Sequence, residues 1–188
     1  RFDGSYAQAG YTVRDLTHSY LHQQPWGELG IEICLGQPMD KTLTPYEYMF
    51  LPDYIESGFN HATLNGMAIV KETIPVYEST PEKLSFNILH PWIVFGIFLL
   101  IVIALTIRDW RRKQLTKWFD VVLFSVMGWL GLLLFVLWIA TDHRAAANNW
   151  NLLWAFPLHA ITGPMMVKSR FSGLVKKYFL ATTIVLGA

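Results

Sequence analysis

The sequence predicts a multi-pass α-helical membrane bundle, three full spans plus part of a fourth, preceded by a partial α/β extracytoplasmic domain. Three observations predict it. First, 53% of the 188 residues are hydrophobic and only 15% are charged, against about 25% charged in an ordinary globular domain. That is too little charge to cover the surface of so apolar a chain, and far too much apolar content for a disordered one. Second, residues 91–107 (PWIVFGIFLLIVIALTI) and 121–141 (VVLFSVMGWLGLLLFVLWIAT) contain no charged side chain. Each approaches the roughly 20 helical residues that cross a bilayer core about 30 Å thick. Third, the net charge of +1 hides a split. Residues 1–88 carry five Lys/Arg against eleven Asp/Glu, a net of −6, and the rest carry ten against three, a net of +7. Such asymmetry indicates two environments within one chain.

Residues 1–80 form the expected extracytoplasmic domain and its linker. The pattern of residues 11–21 fits a helix or an extended segment equally. Residues 30–35 (GIEICL) alternate apolar and polar between Gly-containing turns, which predicts a strand. Thr44-Pro45-Tyr46-Glu47 reads as a helix start, with Thr as cap and acid in the first turn. A second short helix is expected over 54–65, ending near Gly66. Residues 69–77 read as extended, with Pro75 favouring an edge, and 79–85 as the link to the membrane. The chain begins at Arg1 with no signal-like segment, so it is expected to be a piece of something longer.

Residues 88–188 form the expected membrane domain, with spans at about 89–108, 119–141, 150–167 and 178–188. The loop RDWRRKQLTKW holds Arg108, Arg111, Arg112, Lys113 and Lys117 against Asp109 alone. A short basic loop between spans marks the cytoplasmic side, and topology alone explains its charge without a nucleic-acid partner. Alternation then makes the cluster Lys168, Arg170, Lys176 and Lys177 cytoplasmic as well. Residues 1–88 and the turn 142–150 fall outside. The third run, WNLLWAFPLHAITGPMMV, is interrupted by Asn151, Pro157, His159, Gly163 and Pro164. The fourth stops after eleven residues, about 16 Å of helix, and is expected to be truncated.

Few residues carry chemistry. The lone Cys34 is either a thiol nucleophile paired with His18, His22 or His61, or a small buried apolar residue, and nothing in GIEICLG would lower its pKa. His18 and His22 stand at i, i+4 spacing with Asp15 a turn earlier, an incomplete metal set. No metal or cofactor is expected. His159 lies eight residues inside the third run, about 12 Å deep. An ionisable group there is a functional candidate, because desolvation disfavours it unless it is paired. A hydrogen-bonded structural histidine is the alternative, as is a capped interfacial turn for the polar residues 142–151.

The sequence resembles the Lnb-type lipoprotein N-acyltransferases of bacteria. The resemblance rests on YTVRDLTHSYL (11–21), PWGELGIEICLGQPMD (25–40) and YEYMFLPDYI (46–55). It continues in TDHRAAANNWNLLWAFPLH (141–159), its most specific piece. The resemblance implies a papain-like extracytoplasmic domain followed by about five transmembrane helices in the bacterial inner membrane. Residues 1–88 and loop 142–150 would then be periplasmic, and loops 108–118 and 168–177 cytoplasmic. It implies transfer of a fatty acyl group to the N-terminal cysteine of a lipoprotein. The Cys/His pair would lie upstream of Arg1, so Cys34 does not inherit the nucleophile's role and the chain alone is expected to be inactive. Phospholipid and lipoprotein acyl chains are the implied partners. His143, Asn149, Asn151 and His159 are supporting candidates by matched position, and Trp154 with His159 the substrate-binding ones. The competing reading is a non-catalytic membrane scaffold or subunit of an envelope complex.

Overall fold

A computed structural model describes residues 3–78, 88–168 and 172–187. The described chain is mostly helical. Its helices are α1 (Val13–Leu21), α2 (Pro25–Cys34), α3 (Pro52–Asn60), α4 (Pro91–Arg112), α5 (Lys117–Ile139), α6 (His159–Met165) and α7 (Ser172–Gly187). One antiparallel sheet pairs β1 (Thr63–Leu64) with β2 (Met67–Ala68). The chain divides into two units: Arg1–Glu28 with Met39–Asn87, and Leu29–Pro38 with Ile88–Ala188.

In the first unit, polar caps decide what periodicity left open. Thr12 Oγ1 accepts from the Asp15 N–H at 3.1 Å, while the Asp15 carboxylate accepts from the Thr12 N–H at 2.9 Å. This capping box satisfies backbone donors at the helix start and settles residues 13–21 as α1. It also holds the Asp15 carboxyl below its usual range, chiefly through the Thr12 side chain. Thr44 and Glu47 make only one side of this exchange: Glu47 accepts from the Thr44 N–H and O–H, each at 2.8 Å. The start expected there opens only a single 3-10 turn, Glu47–Phe50. That turn carries Tyr48 into the core at 1% exposure. The Tyr48 hydroxyl donates to the Gln8 carbonyl, and its ring meets Tyr54 edge-on at 5.0 Å.

Three sequence expectations are corrected here. α3 stops at Asn60 instead of Asn65, because Asn65 and Gly66 both take positive φ (53° and 83°) and form the turn between β1 and β2. Asn-Gly favours this two-residue turn, whose twist matches that of the strands. Residues 69–77 form no strand; Ile69 N–H donates once, to the Ala62 carbonyl at 3.1 Å. Of residues 30–35, expected as a strand, 30–34 belong to α2 and Leu35 follows its end. Pro25 occupies its first position, and Pro25, Glu28, Leu29, Glu32 and Ile33 are partly buried, with Cys34 at its end. That i, i+3, i+4, i+7, i+8 spacing is helical; the two-residue alternation inside GIEICL is a short piece of it. The linker expected at 79–85 lies outside the described residues.

In the second unit, α4 and α5 have 22 and 23 residues, and their 18-residue apolar stretches have mean hydropathies of 2.3 and 2.4. Only 6% of the apolar stretch of α4 is buried, so most of its side chains face outward, as lipid-facing ones do. The link between α4 and α5 is pinned by Asp109, which accepts from the Thr116 hydroxyl at 2.8 Å and from Arg108 at 3.0 Å. The run 150–167 is not one helix. It folds as a 3-10 turn, Trp150–Leu153, then the seven-residue α6. Pro157, which lacks an N–H, separates the two, as prolines separate helices elsewhere. These pieces lie hard against α5 at Gly128 and Gly131. A Cβ on Gly128 would sit 1.9 Å from Ala160 N, and one on Gly131 would sit 1.6 Å from Ala155 O. Leu134 and Ala155 at this seam are fully buried. Small residues that admit a neighbouring backbone are the usual device for packing helices in lipid. Helix α7 begins at Ser172, six residues before the expected Tyr178, and runs for 16 residues.

Candidate functional site

Packing of residues 148–158 against α5 and α7 leaves a groove of about 980 Å³ in the second unit. Its walls are apolar: Phe135 and Trp138 from α5, Leu152, Leu153 and Phe156 from the broken segment. Helix α7 supplies Tyr178, Ala181, Thr182 and Val185. Their i, i+3, i+4, i+7 spacing is one helical face. Polar groups gather at Gln37, Asn148 and Asn149. Gln37 and Asn148 are exposed, and Asn148 holds a left-handed φ of 51°.

The polar end is built by an amide clasp. Asn149 Nδ2 and Asn151 Nδ2 both donate to the Ile33 carbonyl, at 2.8 and 3.0 Å. Ile33 lies in the last turn of α2, where helix carbonyls lack intrahelical partners, so the two amides act as a cap brought from 116 and 118 residues away. Asn149 Oδ1 in turn accepts from the Asn151 N–H at 2.9 Å, and Trp154 Nε1 donates to Asn151 Oδ1 at 2.9 Å. Backbone bonds close the clasp, Gly36 N–H to Ala145 O at 2.7 Å and Gln37 N–H to Asn148 O at 3.4 Å. A Cβ on Gly36 would stand 1.8 Å from Ala147 O, so only glycine admits this approach.

The other end is aromatic. His159 is 3% exposed, and its Nδ1 is hydrogen-bonded to the Tyr178 hydroxyl at 2.8 Å. Its ring stacks on Phe179 (5.8 Å, 8°) and packs against Phe124 at 5.3 Å and Phe156 at 6.3 Å. Thus the structure brings Asn149, Asn151 and Trp154 into one hydrogen-bonded set and joins His159 to the groove through Tyr178. His143 stands apart from both, exposed before a short 3-10 turn.

The remaining candidates of the sequence find local partners. His18 Nδ1 pairs with Glu28, His22 Nδ1 with the Ser19 carbonyl at 2.8 Å, and His61 Nδ1 with the Ser57 carbonyl at 2.7 Å. The three imidazoles considered as partners for Cys34 are therefore engaged elsewhere through Nδ1, and Cys34 is a half-buried free thiol ending α2. Among the described residues no group of three His, Cys, Asp or Glu side chains gathers to hold a metal. Sequence reasoning missed Tyr178. Its signal is the α7 face that it shares with Ala181, Thr182 and Val185, a face that hydropathy alone does not distinguish from the rest of the run.

The family model of the Lnb transmembrane domain matches residues 82–188. No curated protein and no solved structure matches the chain.

Proposed function

The chain belongs to the Lnb transmembrane-domain family, and from that premise we propose that it is the membrane part of an acyltransferase that N-acylates the N-terminal cysteine of bacterial lipoproteins. One observation carries the reading: the groove of about 980 Å³, walled by apolar side chains and polar at Gln37, Asn148 and Asn149. A fatty acyl lipid has the same division, a long apolar tail and a polar ester end. Pockets that bind such molecules combine apolar walls with a few placed polar groups.

In this reading the acyl tail lies along α5 and α7, and its ester is held at the clasp. Asn149 and Asn151, fixed on the Ile33 carbonyl, shape that polar end with Trp154, and His143 lies on the same side. A thiolate of the papain-like part implied by the resemblance attacks the ester carbonyl. The alcohol leaves with a proton and a thioester forms. The amine of the lipoprotein cysteine then attacks the thioester, forming the amide and releasing the thiol. The basic loop 108–118 and the cluster at 168–177 face the cytoplasm of the bacterial inner membrane, which places residues 1–88 and 142–150 in the periplasm. The polar end of the groove is then at the outer leaflet, where lipoproteins are acylated.

The test is mass spectrometry of lipoprotein N-termini. Deleting the whole gene should leave them without the added acyl group, and the full-length protein should restore it. Unchanged N-termini after deletion would sink the function. In the complemented strain His143→Ala and His159→Ala should each lower acylation at unchanged expression, and unaltered acylation in both would remove these residues from the site.

A further inference from the structure

The groove is polar at Gln37, Asn148 and Asn149, and at Tyr178 it meets an aromatic cluster. On α7, Tyr178 is the first lining residue and Val185 the last, about 10 Å apart along the helix axis at about 1.5 Å per residue. The Tyr178 hydroxyl is hydrogen-bonded to His159 Nδ1 at 2.8 Å, and His159 is 3% exposed among Phe124, Phe156 and Phe179. Phe124 and Phe179 also meet each other, with centroids 4.4 Å apart. The phenol therefore cannot swing aside without giving up its imidazole partner in an apolar setting, where an unpaired polar group is costly. Ala181 and Thr182, by contrast, are small residues that leave the middle of the groove open.

We propose that Tyr178, held by His159, is the floor of an acyl groove and sets the length of the chain it accepts. This rests on the reading of the groove as an acyl site. A tail entering from the end of Gln37 and Asn148 runs past Thr182 and meets the Tyr178 ring with its terminal methyl. Within a membrane the tail gains little apolar burial by leaving lipid, which is as apolar as the groove. Selection comes instead from the steric cost of an overlong chain against a braced floor. Forcing extra methylenes into packed space disfavours the longer chain by roughly fivefold or more. Tyr178 touches the inert end of the chain and is a specificity residue; His159 is a positioning residue that acts through it.

The experiment expresses the full-length protein in a strain lacking the gene and reads the length distribution of the N-terminal acyl chain by mass spectrometry. Tyr178→Ala should lower the floor and raise the share of longer chains about fivefold. Thr182→Phe should raise the floor and shift the distribution to shorter chains. Leu180→Ala, on the exposed side of α7, should leave it as in the wild type. Ala181→Trp, which blocks the groove midway, should abolish acylation in folded protein. If Ala181→Trp blocks acylation and neither Tyr178→Ala nor Thr182→Phe moves the distribution, the floor is overturned and the acyl groove stands. If Ala181→Trp acylates normally, the groove itself is overturned. Loss of folded Ala181→Trp protein from detergent extracts would mean that a helix, not a chain, fills the groove, and would overturn both.

Discussion

Substituting Gly131 with alanine tests the seam on which the groove is built. The added Cβ would lie 1.6 Å from Ala155 O, 2.6 Å from Ala155 C and 3.1 Å from Pro157 N. To restore even a 3.0 Å separation, the 155–157 backbone must retreat by about 1.4 Å. The opposing atoms are backbone and Ala155 is fully buried, so no side-chain rotation relieves the clash. Overpacking of this kind costs about 1–3 kcal/mol, and the upper end applies when backbone must move. Against it stands the better helix propensity of alanine, at most about 1 kcal/mol. The net is a loss of about 2 kcal/mol, or roughly thirtyfold in the folding equilibrium. Gly96→Ala on α4 is the internal control, because its Cβ meets nothing within 4 Å and only the propensity gain remains. Unfolding of both variants in detergent, followed by circular dichroism, should separate them in opposite directions from the wild type. A Gly131→Ala protein as stable as Gly96→Ala would refute the close backbone packing of α5 on residues 155–160.

Further outcomes follow from the hydrogen bonds and titrating groups. Asn149→Ala with Asn151→Ala removes both donors from the Ile33 carbonyl; stranding a buried acceptor costs about 1–3 kcal/mol, and hydrogen exchange at Gly36 and Gln37 should speed up while exchange in α4 stays unchanged. Glu47 is held at a pKa of about 2, below its ordinary 4.5, by the Thr44 N–H first, then the Thr44 hydroxyl and Lys41. A lowered folded pKa gives stability that is present above pH 4.5 and lost as pH falls towards 2. Acid should thus loosen the turn Glu47–Phe50, and Glu47→Gln should flatten that dependence in hydrogen exchange. Tyr20 is pushed up to about 12 by burial first and then by Asp53, to which its hydroxyl donates at 2.6 Å. Here the sign is opposite: the contribution is full below pH 10 and fades as pH rises towards 12. Ultraviolet titration should show fewer late-titrating phenols, by one, when Tyr20 is replaced by Phe.

The helical hydrophobic runs were legible because length and hydropathy are properties of the chain alone. Residues 91–107 and 121–141 match α4 and α5 within a few residues. Shorter elements were not. GIEICL reads as a strand over six residues, and its helical period appears only when Pro25 and Glu28 are included. The Asn65-Gly66 turn was visible as a dipeptide but was absorbed into a neighbouring helix. The third run was long enough to span, yet Pro157 divides it. At the candidate site, His159, Asn149, Asn151 and Trp154 could be singled out as polar groups in an apolar context. Their partners could not, since Ile33 lies more than 110 residues away and Tyr178 nineteen. A backbone carbonyl and a lone tyrosine leave no pattern in sequence.

Whether the groove holds an acyl chain is answered most directly by photocrosslinking. A phospholipid with a diazirine near the end of one acyl tail is bound to the purified protein in detergent, activated by light, and the labelled peptides are sequenced. Label should concentrate on Tyr178, Phe156 and Leu152, exceed that on the outward-facing α4, and disappear with Ala181→Trp. Equal labelling of α4 and the groove, unchanged by Ala181→Trp, would contradict the acyl site.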